Sequence, residues 1–380
     1  MLKIGILGIG NCGNQIANIA TREGFETFCI NTSEKDLETI DKNISVFLFG
    51  SDGAGKDRNI AKSFVKRHYK SLIGSEEFDL FIGSSDIIFI TSSCGGGTGS
   101  GVSIILTDIL TRVYPNKVFI TVGILPTIND SIGAQRNSLE YLKELKSLGK
   151  GFMLYDNNKF KDKNPSEYME TVNNQVIQDI MVLRGDYCYQ TQYGMVDDAD
   201  MLKLLTLPGM ISVTQFTNFF EKDMDTSDST FDTYLLKVAK YSASVDVDRD
   251  RIVKRMGIIV NIDNELSKYY DSSLSVYKAA IGEPLEIFEH YYIKDKSIQV
   301  PNRVVSILSG LSLPDDRTSL IINRIHEVEE ALNKKKESSV LDSVSGLDDL
   351  KIESVTIDRA RQFEKNDINS LDFDFLDSNY

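Results

Sequence analysis

A chain of 380 residues is long enough for two moderate domains with real cores, and 41% hydrophobic with 26% charged residues is the balance of an ordinary globular protein. The net charge of −14 excludes a globally nucleic-acid-binding surface, which needs a basic footprint. No apolar run approaches bilayer length, and Met1-Leu2-Lys3-Ile4 leads straight into a strand pattern, so the expectation is a cytoplasmic protein without signal peptide or membrane contact.

From the beginning, strand and helix patterns alternate. Residues 3–7 form a short apolar run, followed by a glycine turn and an amphipathic stretch over 14–22. Residues 27–30 and 44–49 read as the next strands. The β-branched runs at 86–91 and 117–124 are of the buried parallel kind, and 151–155 adds another. Helical patterns fall between them at 58–73, 99–114 and 132–148. This grammar predicts an α/β fold with an open, doubly wound parallel sheet. Asn164-Pro165 then opens a long helix, Asn as cap and Pro preorganised in the first turn, running to about Arg184 and stopped by Gly185.

Beyond it, strand-like runs at 210–216, 256–262, 285–293 and 303–312 are spaced by helical segments, as in a smaller second α/β domain. A charged helix is expected over 318–335. From 338 onward the chain carries ten acidic and four basic residues without apolar periodicity, and reads as a disordered acidic tail. The expected division is 1–163, the helix 164–185, the second domain 186–315, a C-terminal helix 316–337 and the tail 338–380. Four scattered cysteines and three scattered histidines give no metal spacing and no disulfide framework.

The strongest chemical signal is Gly95-Gly96-Gly97-Thr98-Gly99-Ser100-Gly101, placed between a strand and a helix. Glycines let backbone N–H groups approach phosphate oxygens, the helix N-terminus favours negative charge, and Thr98 and Ser100 offer hydroxyl donors. A second glycine turn, Gly8-Ile9-Gly10-Asn11-Cys12-Gly13, follows the first strand. Alone it matches a dinucleotide fingerprint. The second strand, however, ends Ile30-Asn31-Thr32 where that reading wants an acidic ribose anchor. No GxxxxGK[ST] run occurs, so a Walker-type loop is excluded. Two such turns about 85 residues apart imply one nucleotide held by several loops.

At these residues the chain resembles the tubulin/FtsZ superfamily, and its compact length and divergent second domain look most like the phage and plasmid TubZ branch. Gly95–Gly101 stands as the tubulin signature loop does; Gly10 to Ile16 resembles the first loop, with Asn11 where tubulin has glutamine. Asn31-Thr32 and the run from Gly50 to Lys56 look like further phosphate-side loops, and Asp130 sits where the family places a ribose contact.

The resemblance implies that GTP or GDP is bound by Gly10, Asn11, Cys12, Asn14, Asn31, Gly95, Gly96, Gly97, Thr98, Gly99, Ser100 and Asp130, with Asn157 and Asn174 reading the guanine. An amide both donates and accepts, which suits that base. It implies Mg²⁺, held mainly by phosphates and water, with Asp52 as a water-mediated contributor or simply a turn residue. It implies catalytic acids at Asp197 and Asp200 that enter the next subunit's site, so that GTP hydrolysis is completed in a longitudinal homopolymer. The alternative for Asp197, Asp198 and Asp200 is that they cap the helix that follows. Met195 departs from the asparagine common in FtsZ. The branch implies filaments that segregate plasmid or phage DNA through a DNA-bound adaptor meeting the acidic tail. A phage spindle tubulin, an FtsZ-like division protein, a non-polymerising GTP-binding regulator and a Rossmann oxidoreductase remain as alternatives.

Overall fold

The computed structural model describes residues 2–50, 53–186, 189, 194–217, 242–247, 253–294 and 302–337; Asp52 and the tail from 338 lie outside them. The chain forms two compact units, Met1–Val328 and Glu329–Tyr380. The first holds every strand. Of the second, the described part is the last stretch of a helix.

The first unit is built on one ten-stranded sheet in the order β3-β2-β1-β4-β5-β6-β7-β10-β8-β9. Its first six strands, β1 (Ile4–Ile9), β2 (Glu26–Asn31), β3 (Ser45–Leu48), β4 (Ile87–Ser93), β5 (Val118–Leu125) and β6 (Gly151–Asp156), are all parallel. They are the apolar runs expected from the sequence. β1, β4, β5 and β6 are buried almost throughout, because helices cover both faces.

On one face lie α1 (Gly10–Arg22), α7 (Pro165–Arg184) and α8 (Asp198–Leu205), packing Ile16, Val176 and Leu204 against Ile6, Phe89 and Ile211. The opposite face carries α3 (Arg58–Ile73), α4 (Glu76–Ser84), α5 (Thr98–Val113) and α6 (Ile132–Leu148). The short α2 (Glu34–Leu37) follows β2. Helices α3, α6 and α7 have the bounds the periodicity predicts.

The expected second domain continues the same sheet. Strands β7 (Gly209–Thr217), β8 (Arg255–Asp263), β9 (Glu286–Lys294) and β10 (Arg303–Leu311) join it through β6. The β6–β7 ladder is short, with Gly151 opposite Gly209 and Phe152 opposite Met210. Beyond that seam β10 runs antiparallel to both β7 and β8. Helices α9 (Asn264–Ile281) and α10 (Asp315–Glu337) complete the described elements. No described helix is long and apolar enough to cross a membrane.

Candidate nucleotide site

Strand order reverses between β1 and β4, and the crevice outside the carboxyl ends of strands at such a point is where open α/β sheets bind ligands. Both glycine turns lie there. Gly10 takes a φ of +70°, a left-handed conformation that turns β1 directly into α1. Gly97 is pressed against the loop before α3: a Cβ on it would stand 2.7 Å from Lys56 Cα. A Cβ on Gly10 would stand 3.0 Å from Gly99 N, so the turn after β1, the loop before α3 and the loop at 95–101 meet almost backbone to backbone.

The helices opened by the two glycine turns, α1 and α5, have no side-chain cap and no acid in the first turn. Their leading N–H groups stay available to an anion, with the helix dipole behind them. By contrast α3, α6, α7 and α8 are closed by the side chains of Asp57, Ser131, Asn164 and Asp197, and the uncapped α2 and α4 carry acids in the first turn.

Side chains lock the loops. Thr98 Oγ1 lies 2.6 Å from Thr32 Oγ1, tying the signature loop to the end of β2. Ser100 is fully buried and turned inward, which corrects the expectation of a phosphate-facing hydroxyl. Its Oγ donates to the Gly96 carbonyl and accepts from Arg58 Nε at 3.2 Å. Arg58, 2% exposed, also donates to the Ser100 carbonyl (2.9 Å) and pairs with Glu140 (2.9 Å) and Glu144 (2.7 Å) on α6. Asn137 Nδ2 donates to the carbonyls of Lys56 (3.1 Å), Gly95 (3.1 Å) and Gly96 (3.3 Å).

Sequence reasoning missed Arg58 and Asn137. One signal was present: a cation in the first turn of α3 opposes its dipole and needs another reason to be there.

Asn14 and Asn31 are also spent internally. With the Asn14 amide oriented to satisfy both ends, its Nδ2 donates to the Gly8 and Gly10 carbonyls and its Oδ1 accepts from Asn31 Nδ2 at 3.0 Å. Asn31 Oδ1 accepts from the N–H groups of Thr32 and Ser33. These buried amides fix the loops. Asn11, by contrast, is exposed. Cys12 is half-buried, and burial pushes its thiol up to about 12, so it stays neutral.

On the other side of the crevice, Asp130 Oδ2 accepts from the Thr127 N–H (2.8 Å) and hydroxyl (3.0 Å). Asn158 Oδ1 accepts from the Ile128 N–H at 2.9 Å, joining this turn to the one after β6. Asn157 opens that 3₁₀ turn, and its Oδ1 is buried with no partner among the described residues. An unpaired buried acceptor calls for a donor. The turn that Asn157 opens therefore holds an acceptor that the described residues leave unpaired. Asn174 is half-buried on α7, which packs against both α1 and this turn. No cluster of three or more His, Cys, Asp or Glu occurs among the described residues. The uncapped N–H groups opening α1 and α5, with the Thr98 hydroxyl beside them, make up the donor set, which suits phosphate.

The acidic loop lies at the opposite edge of the sheet. Asp197 and Asp198 line a cleft of about 560 Å³ together with Leu2, Leu183, Gly185 and Met195. Leu2 precedes β1 and Gly10 follows it, so the two sites are separated by roughly 20 Å, the length of a six-residue strand. Asp197 Oδ1 accepts from the Asp200 N–H at 2.9 Å, capping α8 as the bland alternative expects. Asp200 Oδ1 lies 3.5 Å from Lys203 Nζ, and Met195 is 60% exposed.

Residues 3–165 match the model of the tubulin/FtsZ family, GTPase domain. Residues 3–165 thus form a GTPase domain of the tubulin/FtsZ family, and the whole chain is similar to proteins of that kind. The tubulin-like protein CetZ of Pyrococcus furiosus is 26% identical over 390 residues, covering 90% of this chain and 95% of that protein. The tubulin-like protein TubZ of a Clostridium botulinum C phage is 25% identical over 368 residues, covering 90% and 98%. In structure the chain resembles the Clostridium botulinum phage c-st TubZ, with a TM-score of 0.68 and 22% identity over 87% of this chain and 98% of that one. It resembles equally the GTPγS-bound protofilament of Haloferax volcanii CetZ2, at 0.68 and 16%, over 87% and 99%. The TubZ branch expected from the sequence is thus among its relatives, and the archaeal CetZ proteins stand beside it. The matched GTPase domain lies on the six parallel strands, where both glycine turns are found.

Proposed function

We propose that this chain assembles end to end on GTP, each subunit bringing Asp197 and Asp200 to the nucleotide held by its neighbour. The observation that carries the reading is the separation of the two sites. The glycine turns lie at one end of β1, and Asp197 lines an open cleft at the other, with Asp200 in the first turn of the helix it caps. A CetZ2 and a Bacillus thuringiensis TubZ of this fold are protofilaments, which supports the same stacking here.

On this reading the first-turn N–H groups of α5 and the Thr98 hydroxyl hold the terminal phosphates, α1 holds the inner ones, and Asn157 and Asn174 hold the base. Asp200 orients the attacking water and Asp197 keeps the loop in place through its cap. Magnesium, when bound, neutralises charge on the terminal phosphates. The filament serves to segregate or position DNA, its acidic tail meeting a basic DNA-bound adaptor. The net charge of −6 over 338–380 and the phage-encoded TubZ relative support that assignment.

The test is GTP turnover per molecule against protein concentration, with light scattering read on the same sample. Turnover that rises with scattering above a threshold is the expected result. Flat turnover without scattering assigns the chain to a self-contained switch and ends the shared-site reading.

A further inference from the structure

The base side of the crevice is held by a residue from the far end of the chain. Arg317, in the first turn of α10, is 7% exposed. Its Nε donates to Asp156 Oδ2 at 2.7 Å; its Nη2 donates to Asp156 Oδ1 at 3.1 Å and to the Pro126 carbonyl at 2.6 Å. Asp156 ends β6 and caps the 3₁₀ turn that Asn157 opens, its Oδ1 accepting from the Asn158 N–H at 3.0 Å. Pro126 leads into the turn closed by Asp130. One guanidinium therefore clamps together the two loops on this side of the crevice.

Two atoms here are buried without a partner among the described residues, Asn157 Oδ1 and Arg317 Nη1. A buried ion pair is weak evidence for net stabilisation, since desolvation offsets most of the attraction. What a planar, bidentate guanidinium does well is fix geometry. Asn157 Oδ1 is an acceptor whose aim depends on the turn, and the turn hangs from Asp156.

We propose that Arg317 is a positioning residue for base recognition: through Asp156 it aims Asn157 Oδ1 at the N1–H and 2-amino edge of a guanine. This rests on the assignment of Asn157 to the base. The strand-β10-to-α10 connection, in the half of the sheet remote from the phosphates, thereby sets nucleotide selectivity.

The experiment is titration of the full chain, below its assembly threshold, with GTP and with inosine triphosphate, which lacks the 2-amino group. The variants are Arg317→Lys, Arg317→Ala, Asp156→Asn, Asn157→Ala and the Arg317→Lys/Asp156→Asn pair. Lysine keeps the charge but cannot hold Asp156 and Pro126 together, so it remains informative if alanine fails to fold. Expected is a loss of GTP-over-ITP preference of about tenfold in Arg317→Lys and Asp156→Asn alike, the scale of one well-placed hydrogen bond. The double variant should lose no more than either single, because both act through one network. A preference unchanged in Arg317→Lys and Asp156→Asn, with Asn157→Ala abolishing it, overturns the positioning role. A preference unchanged in Asn157→Ala overturns the base assignment itself.

Discussion

The two ends of β1 are built on opposite plans. At the Gly10 end the loops are tied down from within: Asn14 to Asn31, Thr32 to Thr98, Arg58 to Ser100, Asn137 to three carbonyls. At the Leu2 end a cleft stands open, edged by an exposed Met195 and by Asp197, which caps α8. The first end is cross-braced by side chains from four loops. The second is open, which on the proposed reading leaves room for a neighbouring subunit.

That contrast can be broken first at the acids. Asp200→Ala should lower GTP turnover by ~10²–10⁴-fold, the usual worth of a positioned acid or base, while GTP affinity stays unchanged. Loss of GTP binding in that variant would place Asp200 at its own subunit's nucleotide and erase the distinction between the ends.

Next comes the helix that runs between them. Asp179 on α7 is fully buried and accepts from Tyr155 (2.8 Å), Gln175 (2.8 Å) and Gln215 (2.7 Å). Burial pushes its carboxyl up to about 7 from an ordinary 3.8, against the pull of those three donors. The unfolded chain ionises this group near pH 4 while the folded chain keeps its proton to about 7. Stability therefore falls as pH rises through that window and levels off above it. Three pKa units correspond to roughly 4 kcal/mol. Asp179→Asn should leave stability near its wild-type value at pH 5, raise it at pH 8 and flatten the slope between, read by urea unfolding. An unaltered slope would show the carboxylate ionised in the fold.

The mildest test is at the rigid end. Gly97→Ala puts a methyl 2.7 Å from the Lys56 backbone, and overpacking of that kind costs about 1–3 kcal/mol. GTP affinity should fall by a corresponding ten- to hundredfold, with turnover at saturating GTP much less affected. Unchanged affinity in calorimetry would mean that the loops move apart freely.

The glycine turns, the parallel strands and the long helix were legible because their causes are local. A phosphate loop needs glycines in a row, a buried strand needs β-branched runs, and Asn164-Pro165 with Gly185 marks both ends of α7. Arg58, Asn137 and Arg317 were not legible, because each looks like a solvated helix residue until its partner arrives from tens to over a hundred positions away. The direction of the Ser100 hydroxyl was hidden for a related reason. Its spacing suits a phosphate donor, but the helical turn aims its hydroxyl at Gly96. The single sheet running through both expected domains was hidden too, since pairing between β6 and β7 leaves no mark in either strand's pattern.

The short β6–β7 ladder has a mechanical meaning. Ten strands give the molecule a stiff plate, but bending stiffness is set by the weakest joint. Here the direct ladder is two residue pairs, supplemented by the Asp179 network, the Arg317 clamp and residues 242–245, which bond to β6 on one side and to Val213 of β7 on the other. A twisting load across the sheet would concentrate its strain on that line. The turn that Asn157 opens leaves β6 directly beside it, so a change in that turn's position is transmitted first to this joint.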